Sequence, residues 1–396
     1  MFRKRMGRSG SYGKRPGAKH FRGGGGHKRS QFKDVSKFIN KAAPISEAKP
    51  YKSVNSFIGF DIDERLKKNI VTSGYSIPTP IQDQAIPHVL NGRDIVGIAN
   101  TGTGKTAAFI VPLLNKVVKD KTQKVLVVAP TRELALQINQ ELVKFAHGLS
   151  IFSVCTVGGM PIFRQISDMR RSHNFIIGTP GRIKDLIERK CLKLDSFKTV
   201  VLDEADRMLD MGFIGDMRFL MSAMPKDRQT LFFSATMSSD IKRIISEFLT
   251  DPVNISVKTG DTASGVDQDV IYVKGAPKFD LLHGLLIKPE FNKVLIFGST
   301  KHGVERLSKN LSARGHKTES IHGNKNHSQR QRALKSFKDN SVKILVATDV
   351  AARGLDIPDV SHVINYELPA THDDYIHRIG RTGRGGKAGK ALTFVE

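Results

Sequence analysis

From residue 54 onward, short apolar runs alternate with longer stretches in which apolar residues recur every three or four positions, as in ELALQINQELVKFAH at 133–147. The runs in the first half are DIVGIA (94–99), KVLVVAP (124–130), IFSVCTV (151–157), NFIIGTP (174–180), KTVVLDEAD (198–206) and QTLFFSAT (229–236). Continuous apolar strands that alternate with helices are typical of a parallel sheet covered by helices on both faces.

The same alternation restarts after a polar segment without periodicity, KTGDTASGVDQD at 258–269, which is predicted to be a linker. The later runs are VIYV (270–273), KVLIFGST (293–300), KTESIHG (317–323), VKILVATD (342–349) and SHVINYE (361–367). The pattern therefore predicts an α/β fold with two parallel-sheet domains, residues 53–257 and 270–396. Ligands are expected at the carboxyl ends of the strands.

Residues 1–52 have a different composition, with 15 Lys or Arg against 2 Asp or Glu and many glycines. Such a segment buries too little apolar surface to offset its chain entropy, so we expect a disordered basic arm. Its scattered aromatic residues, Phe2, Tyr12, Phe21 and Phe32, would stack on bases while the cations follow phosphates. The net charge of +25 for the whole chain also favours a polyanionic partner. An inert solubility tail is the alternative.

The two cysteines, Cys155 and Cys191, form no C-x-x-C pair, which argues against a disulfide framework or a zinc site. The sequence also contains no apolar stretch near the roughly 18 residues that span a bilayer, and its N-terminus has no signal-peptide core. A cytoplasmic protein without a membrane partner is expected.

The segment GIANTGTGKTAAF at 97–109 joins a predicted strand, a glycine loop and the start of a helix. Gly102 and Gly104 let backbone N–H groups point at a phosphate cluster, and the helix N-terminus adds positive potential. Lys105 would reach the β and γ phosphates, and the Thr106 hydroxyl would ligate Mg²⁺. The strict P-loop pattern begins with glycine where this chain has Ala99, so a structural turn stays open on this motif alone.

A second motif, VVLDEAD, places Asp203 and Glu204 at the end of an apolar strand. Burying carboxylates there is costly without a cation. Asp203 would hold Mg²⁺ through water, and Glu204 would orient and deprotonate an attacking water. The two motifs together predict a nucleoside triphosphatase.

At this point the chain resembles the DEAD-box RNA helicases of helicase superfamily 2, whose name is spelled by residues 203–206. The first motif of that family commonly begins with alanine, so Ala99 fits it. The resemblance covers roughly residues 54–396, and the basic glycine-rich tail suggests the RhlE-like branch. It implies two tandem RecA-like P-loop domains, ATP and Mg²⁺ as cofactors, and a monomer. It also implies single-stranded or short duplex RNA as partner, with little sequence preference.

By this resemblance, ATP is held by residues from both domains. Gln82 would read the adenine edge while Phe57 stacks on the ring, and Gly354 and Asp356 would meet the γ-phosphate and the ribose. Further ATP contacts are assigned to Tyr75, Thr101, Gly102, Thr103, Gly104, Lys105 and Thr106. The catalytic set is Lys105, Asp203, Glu204 and the two arginine fingers, Arg381 and Arg384.

The same resemblance assigns RNA contacts to loops at strand ends. The assigned residues are Pro130, Thr131, Arg132, Gly158, Gly159, Thr179, Pro180, Gly181, Arg182, Gly323, Arg332 and Thr348. In QRQR (329–332), Gln329 and Arg332 match the ends of the Gln-x-x-Arg element. Ser234 and Thr236 would couple hydrolysis to RNA binding. Asn324 stands where many relatives carry aspartate.

Three functions remain open from the sequence: an RNA helicase, an ATP-gated RNA clamp with little strand separation, and a DNA translocase of the same superfamily. Strand displacement on a short duplex separates the first two, and ATPase stimulation by RNA against DNA tests the third. RNA decay and ribosome assembly are both compatible as pathways.

Deletion of residues 1–50 is expected to weaken RNA affinity and to flatten its dependence on salt, because fewer counterions are released from the RNA. Each phosphate that the arm no longer neutralises lowers the slope of log K against log salt by about 0.7 for a single strand. Binding titrations at several salt concentrations measure the slope. An unchanged slope would assign the arm to solubility alone.

Overall fold

The computed structural model describes residues 38–40, 51–100, 102–257, 265–352, 357–383 and 389–396. The helices of the first domain are α1 (Glu64–Thr72), α2 (Pro80–Leu90), α3 (Lys105–Lys119), α4 (Arg132–Phe145), α5 (Ile162–Met169), α6 (Pro180–Glu188), α7 (Ala205–Asp210), α8 (Ile214–Ser222) and α9 (Ser239–Phe248). Its strands are β1 (Ile95–Ile98), β2 (Val125–Val128), β3 (Ser153–Thr156), β4 (Phe175–Gly178), β5 (Thr199–Leu202), β6 (Gln229–Ser234) and β7 (Val253–Ser256).

The second domain repeats this alternation of strands and helices. Its strands are β8 (Val266–Tyr272), β9 (Val294–Phe297), β10 (Thr318–Ile321), β11 (Ile344–Ala347), β12 (His362–Asn365) and β13 (Gly389–Val395). Its helices are α10 (Lys278–Leu286), α11 (Lys301–Ala313), α12 (His327–Lys338), α13 (Asp349–Ala352) and α14 (His372–Ile379).

Both sheets are parallel, with strand orders β3-β4-β2-β5-β6-β1-β7 and β10-β11-β9-β12-β13-β8. The central strands of the first sheet, β1, β2, β4, β5 and β6, are buried at every residue. Consecutive residues such as Ile95 and Val96 enter separate apolar clusters on opposite faces, because side chains alternate along a strand. The predicted α/β fold with two RecA-like parallel-sheet domains is confirmed.

The strand order determines where the chemistry gathers. Strands β1, β5 and β6 are neighbours, with β6 between the other two. The glycine loop follows β1, Asp203 follows β5, and Ser234 ends β6. Parallel strands end at the same edge of a sheet. The glycine loop, the acidic motif and residues 234–236, which we call the Ser-Ala-Thr element, therefore meet at this edge.

Two strands differ from the prediction. Strand β7 was not anticipated, because this edge strand has a buried Ile255 between the exposed Asn254 and Ser256 and therefore gives no continuous apolar run. Strand β8 begins at Val266, inside the segment predicted as a linker. Its alternating polar residues Asp267 and Asp269 disguise it, and residues 258–264 lie outside the described part of the chain.

Residues 38–40 depart from the predicted disorder of the N-terminal arm. The side chain of Phe38 is 1% exposed and packs among apolar residues of the second domain. Asn40 pairs in antiparallel fashion with Gln268 of β8. Full burial of a phenylalanine side chain contributes about 1.5–3 kcal/mol to the free energy of unfolding. The composition of the surrounding segment does not reveal that Phe38 is buried. Residues 1–37 and 41–50 lie outside the described residues.

Within the described residues, no helix combines the length and the apolar character that crossing a bilayer requires.

Candidate functional site

The phosphate loop after β1 adopts the backbone that its glycines were expected to provide. Gly102 and Gly104 have φ angles of 86° and 90°, a region that favours glycine. Gly104 is the N-cap of α3. A Cβ atom at Gly104 would lie 2.3 Å from the amide nitrogen of Gln82, so any side chain there would displace that residue. Thr101, also assigned to this loop, lies outside the described residues.

Gln82 joins the loop before α2 to the phosphate loop. Its Nε2 donates a hydrogen bond to the carbonyl of Gly104 at 3.0 Å, and its Oε1 accepts one from the backbone N–H of Thr79 at 2.9 Å. The side chain is 1% exposed. Gln82 therefore ties the start of α2 to the phosphate loop in this structure. Its reading of the adenine edge stays a prediction.

Lys105 points back into its own loop. Its side chain is buried, and Nζ donates to the carbonyl of Ala99 at 2.8 Å. The backbone N–H of Ala99 in turn donates to the carbonyl of Ser234 at 3.0 Å. The alanine at the first position of the motif thus serves through its backbone, so the missing glycine leaves the loop intact.

Asp203 and Glu204 are both buried in the cleft, with 2% and 5% of their surfaces exposed. Burial raises the pKa of Asp203 to about 6, with the charge of Lys105 opposing the shift. Burial also acts to raise the pKa of Glu204, but the charges of Arg207, Lys105 and Arg381 outweigh it and hold that pKa at about 2. The neighbouring carboxyl groups are therefore driven in opposite directions, which is characteristic of functional sites.

Arg207 is a site residue that the sequence did not single out. Its Nη1 donates to Glu204 Oε2, and both side chains are buried. Glu204 caps α7 with φ of 51° and ψ of 52°, an uncommon backbone for a residue with a side chain. A strained backbone and a buried ion pair together fix the direction of this carboxylate.

Asp206, the last residue of the acidic motif, holds residues 234–236, the Ser-Ala-Thr element. Its Oδ2 accepts hydrogen bonds from the backbone N–H groups of Ala235 and Thr236, both at 2.9 Å, and from Thr236 Oγ1 at 3.2 Å. Ser234 Oγ donates to the carbonyl of Thr236 at 2.9 Å. The coupling predicted for Ser234 and Thr236 therefore has a direct physical connection to the acidic motif.

A cleft of about 440 Å³ opens beside these groups, lined by the phosphate loop and Thr106, the two carboxylates, one side of α4 and Lys338 of the second domain. Tyr75 is on its wall and donates to Glu141 Oε1 at 2.5 Å. Phe57 is fully buried, with its ring edge-on to Tyr75 at 6.0 Å between centroids. Stacking of Phe57 on a base would need a rearrangement, whereas Tyr75 already borders the cleft.

Arg132 explains the glycine pair at 158–159. A Cβ atom at Gly159 would lie 1.9 Å from Arg132 Nη1, so the guanidinium rests directly on this loop. Arg182 approaches from the other side and donates to the carbonyl of Met160 at 3.2 Å. Three sequence motifs thus form one basic loop cluster, which we call the GG cluster: Arg132, Gly158, Gly159 and Arg182.

The other predicted RNA contacts divide by exposure. Gly159, Gly181, Gly323 and Arg332 are exposed, whereas Pro130, Thr131, Pro180 and Thr348 are buried. The Thr131 hydroxyl accepts from the N–H of Leu134 at 3.3 Å and caps α4. Thr179 is the N-cap of α6. The buried members shape the loops, while the exposed glycines offer backbone N–H groups.

In the second domain, Arg378 holds Asp349, the first residue of α13, which follows β11. Its side chain is 2% exposed and donates Nε and Nη2 to the carboxylate of Asp349 at 2.6 and 2.7 Å. Arg381 lies one turn later and is 4% exposed, with Nε donating to the carbonyl of His377 at 3.3 Å. Gly354, Asp356 and Arg384 lie outside the described residues.

Arg330 was missed in favour of Arg332. Arg330 Nη2 lies 2.8 Å from Glu133 Oε2, and this ion pair joins α12 of the second domain to α4 of the first. Arg332, two positions later, is exposed because two residues turn a helix by more than half a circle. The available signal was helical phase, since Ala333, Leu334 and Phe337 fall on the same face as Arg330.

Comparisons with known proteins agree with this site. Residues 79–244 match the DEAD/DEAH box helicase family, and residues 277–386 match the helicase conserved C-terminal domain. The chain is 45% identical over 345 residues to the ATP-dependent RNA helicase CshA of Listeria monocytogenes, covering 87% of this chain and 66% of that protein. The chain thus spans about two thirds of that relative's length.

Two solved structures of S. cerevisiae Dbp5 are also similar to this chain. S. cerevisiae Dbp5 bound to RNA and ADP BeF3 is 32% identical, with a TM-score of 0.76 over 86% of this chain and 89% of that one. A Dbp5 variant bound to Gle1 and IP6 is also 32% identical, with a TM-score of 0.68 over 85% and 87% of the two chains. Since the glycine loop, the acidic motif and Lys338 of the second domain line one cleft, and both family domains match in order, the chain belongs to the DEAD-box family of ATP-dependent RNA helicases.

Proposed function

We propose that the chain is an RNA-stimulated ATPase that grips RNA across both domains and separates short duplexes or remodels RNA–protein complexes. One observation carries the proposal: the cleft that holds Lys105 and Glu204 is lined by residues of both domains, and Arg330 of the second domain pairs with Glu133 of the first at 2.8 Å. A carboxylate that draws cations from two domains is fully surrounded only when the cleft is closed. ATP hydrolysis would then depend on whatever closes it.

The chain's own groups divide the chemistry. The N–H groups of the glycine loop and Lys105 bind the phosphates, with Lys105 leaving the carbonyl of Ala99 when they arrive. Glu204, anionic and held by Arg207, orients the attacking water and accepts its hydrogen bond. Arg381, whose charge acts on Glu204, would supply positive charge to oppose the negative charge that develops on the transferred phosphoryl group.

The oxygen donors of the cleft suit Mg²⁺. The Asp203 carboxylate and Thr106 hydroxyl both line the cleft, and hard cations prefer such oxygens with several waters retained. Burial raises the pKa of Asp203 to about 6 although the charge of Lys105 opposes the shift, so a further cation beside this carboxylate would stabilise its charged form. Bound there, Mg²⁺ would neutralise phosphate charge, and the chain's part is to place the two oxygens.

RNA is proposed to bind the GG cluster and the exposed glycine loops through phosphates, which implies little sequence preference. The TM-score to Dbp5 is higher for the RNA-bound form than for the Gle1-bound form, 0.76 against 0.68 at the same identity. The score covers both domains and falls when their arrangement differs. This difference supports a closed, RNA-gripping arrangement of the chain.

We further propose residues 53–257 and 265–396 as the two domains, which moves the second boundary from 270 to include β8.

A clamp that rarely separates strands and a DNA translocase are the competing functions. Displacement of one strand from a short RNA duplex, with single-stranded RNA and DNA as ATPase stimulants in parallel, tests all three. ATPase stimulation by DNA equal to that by RNA would overturn the RNA assignment.

The variant Glu204→Gln is expected to lose ATP turnover by about 10²–10⁴-fold, since a general base contributes that much. Because the neutral amide keeps the shape and the phosphate contacts, ATP-dependent RNA binding should persist. Steady-state ATPase and RNA binding with and without ATP measure the two properties. Near-normal turnover would remove Glu204 from the role of water-orienting base.

The variant Arg330→Met is expected to weaken RNA binding in the presence of a non-hydrolysable ATP analogue by about tenfold or more, because breaking a buried ion pair leaves Glu133 uncompensated. RNA binding with ADP should change little, since the pair requires the closed cleft. The matched variant is Arg332→Met on the exposed face of the same helix. A larger loss in Arg332→Met than in Arg330→Met would instead make Arg332 the residue that supports RNA binding.

The variant Asp206→Asn is expected to lower RNA-stimulated turnover by about tenfold, because a neutral amide is a weaker acceptor for the Ser-Ala-Thr loop than a carboxylate. ATP affinity should stay close to that of the unmodified chain, since Asp206 faces the loop. Turnover and ATP affinity measured together decide this. A loss confined to ATP affinity would contradict the coupling role.

A further inference from the structure

Residues 38–40 pack on the second domain. The ring of Phe38 meets Tyr375 edge to face, with 4.8 Å between centroids and 69° between planes. Phe38 shares an apolar cluster with Val266 and Ile379 and is 1% exposed. A side chain buried to this extent is part of the domain on which it lies.

The backbone of this segment continues the second sheet. The N–H of Asn40 donates to the carbonyl of Gln268 at 3.0 Å, and the N–H of Gln268 donates to the carbonyl of Asn40 at 2.7 Å. Strand β8 is an edge strand, so these bonds cover part of an open sheet edge. Gln268 also accepts from the Tyr375 hydroxyl at 3.0 Å, which joins the edge to the aromatic pair. Extended peptides bind sheet edges in the same way.

The apolar cluster that contains Phe38 includes residues of α14 and β8, and both elements connect to Arg381. Tyr375 and Ile379 lie on α14, and Arg381 hydrogen-bonds to the carbonyl of His377 in the last turn of that helix. Val266 is the first residue of β8, and a Cβ atom at Gly383, two residues after Arg381, would lie 3.0 Å from its side chain. A displacement of α14 or of Val266 would therefore move Arg381.

The chain also crosses between domains here. Tyr51 lies on the first domain, where its hydroxyl donates to Asp83 Oδ2 at 2.7 Å, whereas Asn40 lies on the second.

We propose that Phe38, which lies in a docking strap formed by residues 38–40, is a positioning residue for Arg381 and orients it through α14 and Val266. The proposal rests on the proposed role of Arg381. The strap is held by one buried aromatic ring and two backbone hydrogen bonds, set against the entropy of ordering a short segment.

The test uses the full chain with the variants Phe38→Ala, Phe38→Leu and Ile39→Ala. Ile39 is the matched control, because it is the adjacent residue and its side chain is 48% exposed. In Phe38→Ala we expect the RNA-saturated kcat to fall about tenfold, since small misplacements of a catalytic group have effects of that order. The KM for ATP should stay within about twofold, because the phosphate-binding loop is in the first domain. Phe38→Leu should recover most of kcat, and Ile39→Ala should match the unmodified chain.

A kcat for Phe38→Ala equal to that of Ile39→Ala would overturn the proposal, and so would a parallel loss of kcat and ATP binding, which indicates general damage to the fold. Failure of Phe38→Leu to recover kcat would also overturn it, because the pocket is apolar. Arg381→Lys, measured alongside, reports on the arginine itself. An unchanged kcat in Arg381→Lys would defeat the role of Arg381 whatever Phe38 does.

Discussion

The structure depends on the burial of two carboxylates at the end of an apolar strand. Removing each from water costs several kcal/mol, so cations must approach closely. Glu204 obtains them from Arg207, Lys105 and, across the cleft, Arg381, and its pKa is held at about 2. For Asp203 the charge of Lys105 opposes the effect of burial without overcoming it, and the pKa stays at about 6. This difference between the two pKa values is the basis of the proposed roles, in which Glu204 orients water and Asp203 holds Mg²⁺.

Residues of different motifs also contact one another at the strand ends. Gln82 donates to Gly104, Asp206 accepts from the loop at Ala235 and Thr236, and Arg132 lies on Gly159. In each case a side chain from one strand end fixes the backbone of the loop beside it. These cross-links hold the loops in place at the strand ends. A change at one motif is therefore transmitted to its neighbour through a specific hydrogen bond or contact.

Much of the fold could be predicted because its central strands are buried on both faces and give unbroken apolar runs. Asp203 and the glycine loop were placed together because parallel strands share an edge. Strand β7 and the start of β8 were missed, since edge strands mix polar and apolar residues. Phe38 lies in a segment dominated by charge, so only its tertiary pocket reveals it. Arg330 needed helical phase, which motif spelling in QRQR obscured.

The ion pair between Glu133 and Arg330 shows how a closed state can be specific without being permanent. Glu133 Oε1 and Arg330 Nε are buried and have no hydrogen-bond partner among the described residues, so the pair is only partly satisfied. A buried pair with unmet groups contributes geometry more than net free energy. In the proposed function, closure would draw its free energy from ATP and RNA, and each ligand would raise the affinity for the other by the same factor. Loss of the γ-phosphate would remove part of that free energy, and we expect the partly satisfied contact alone not to keep the domains together.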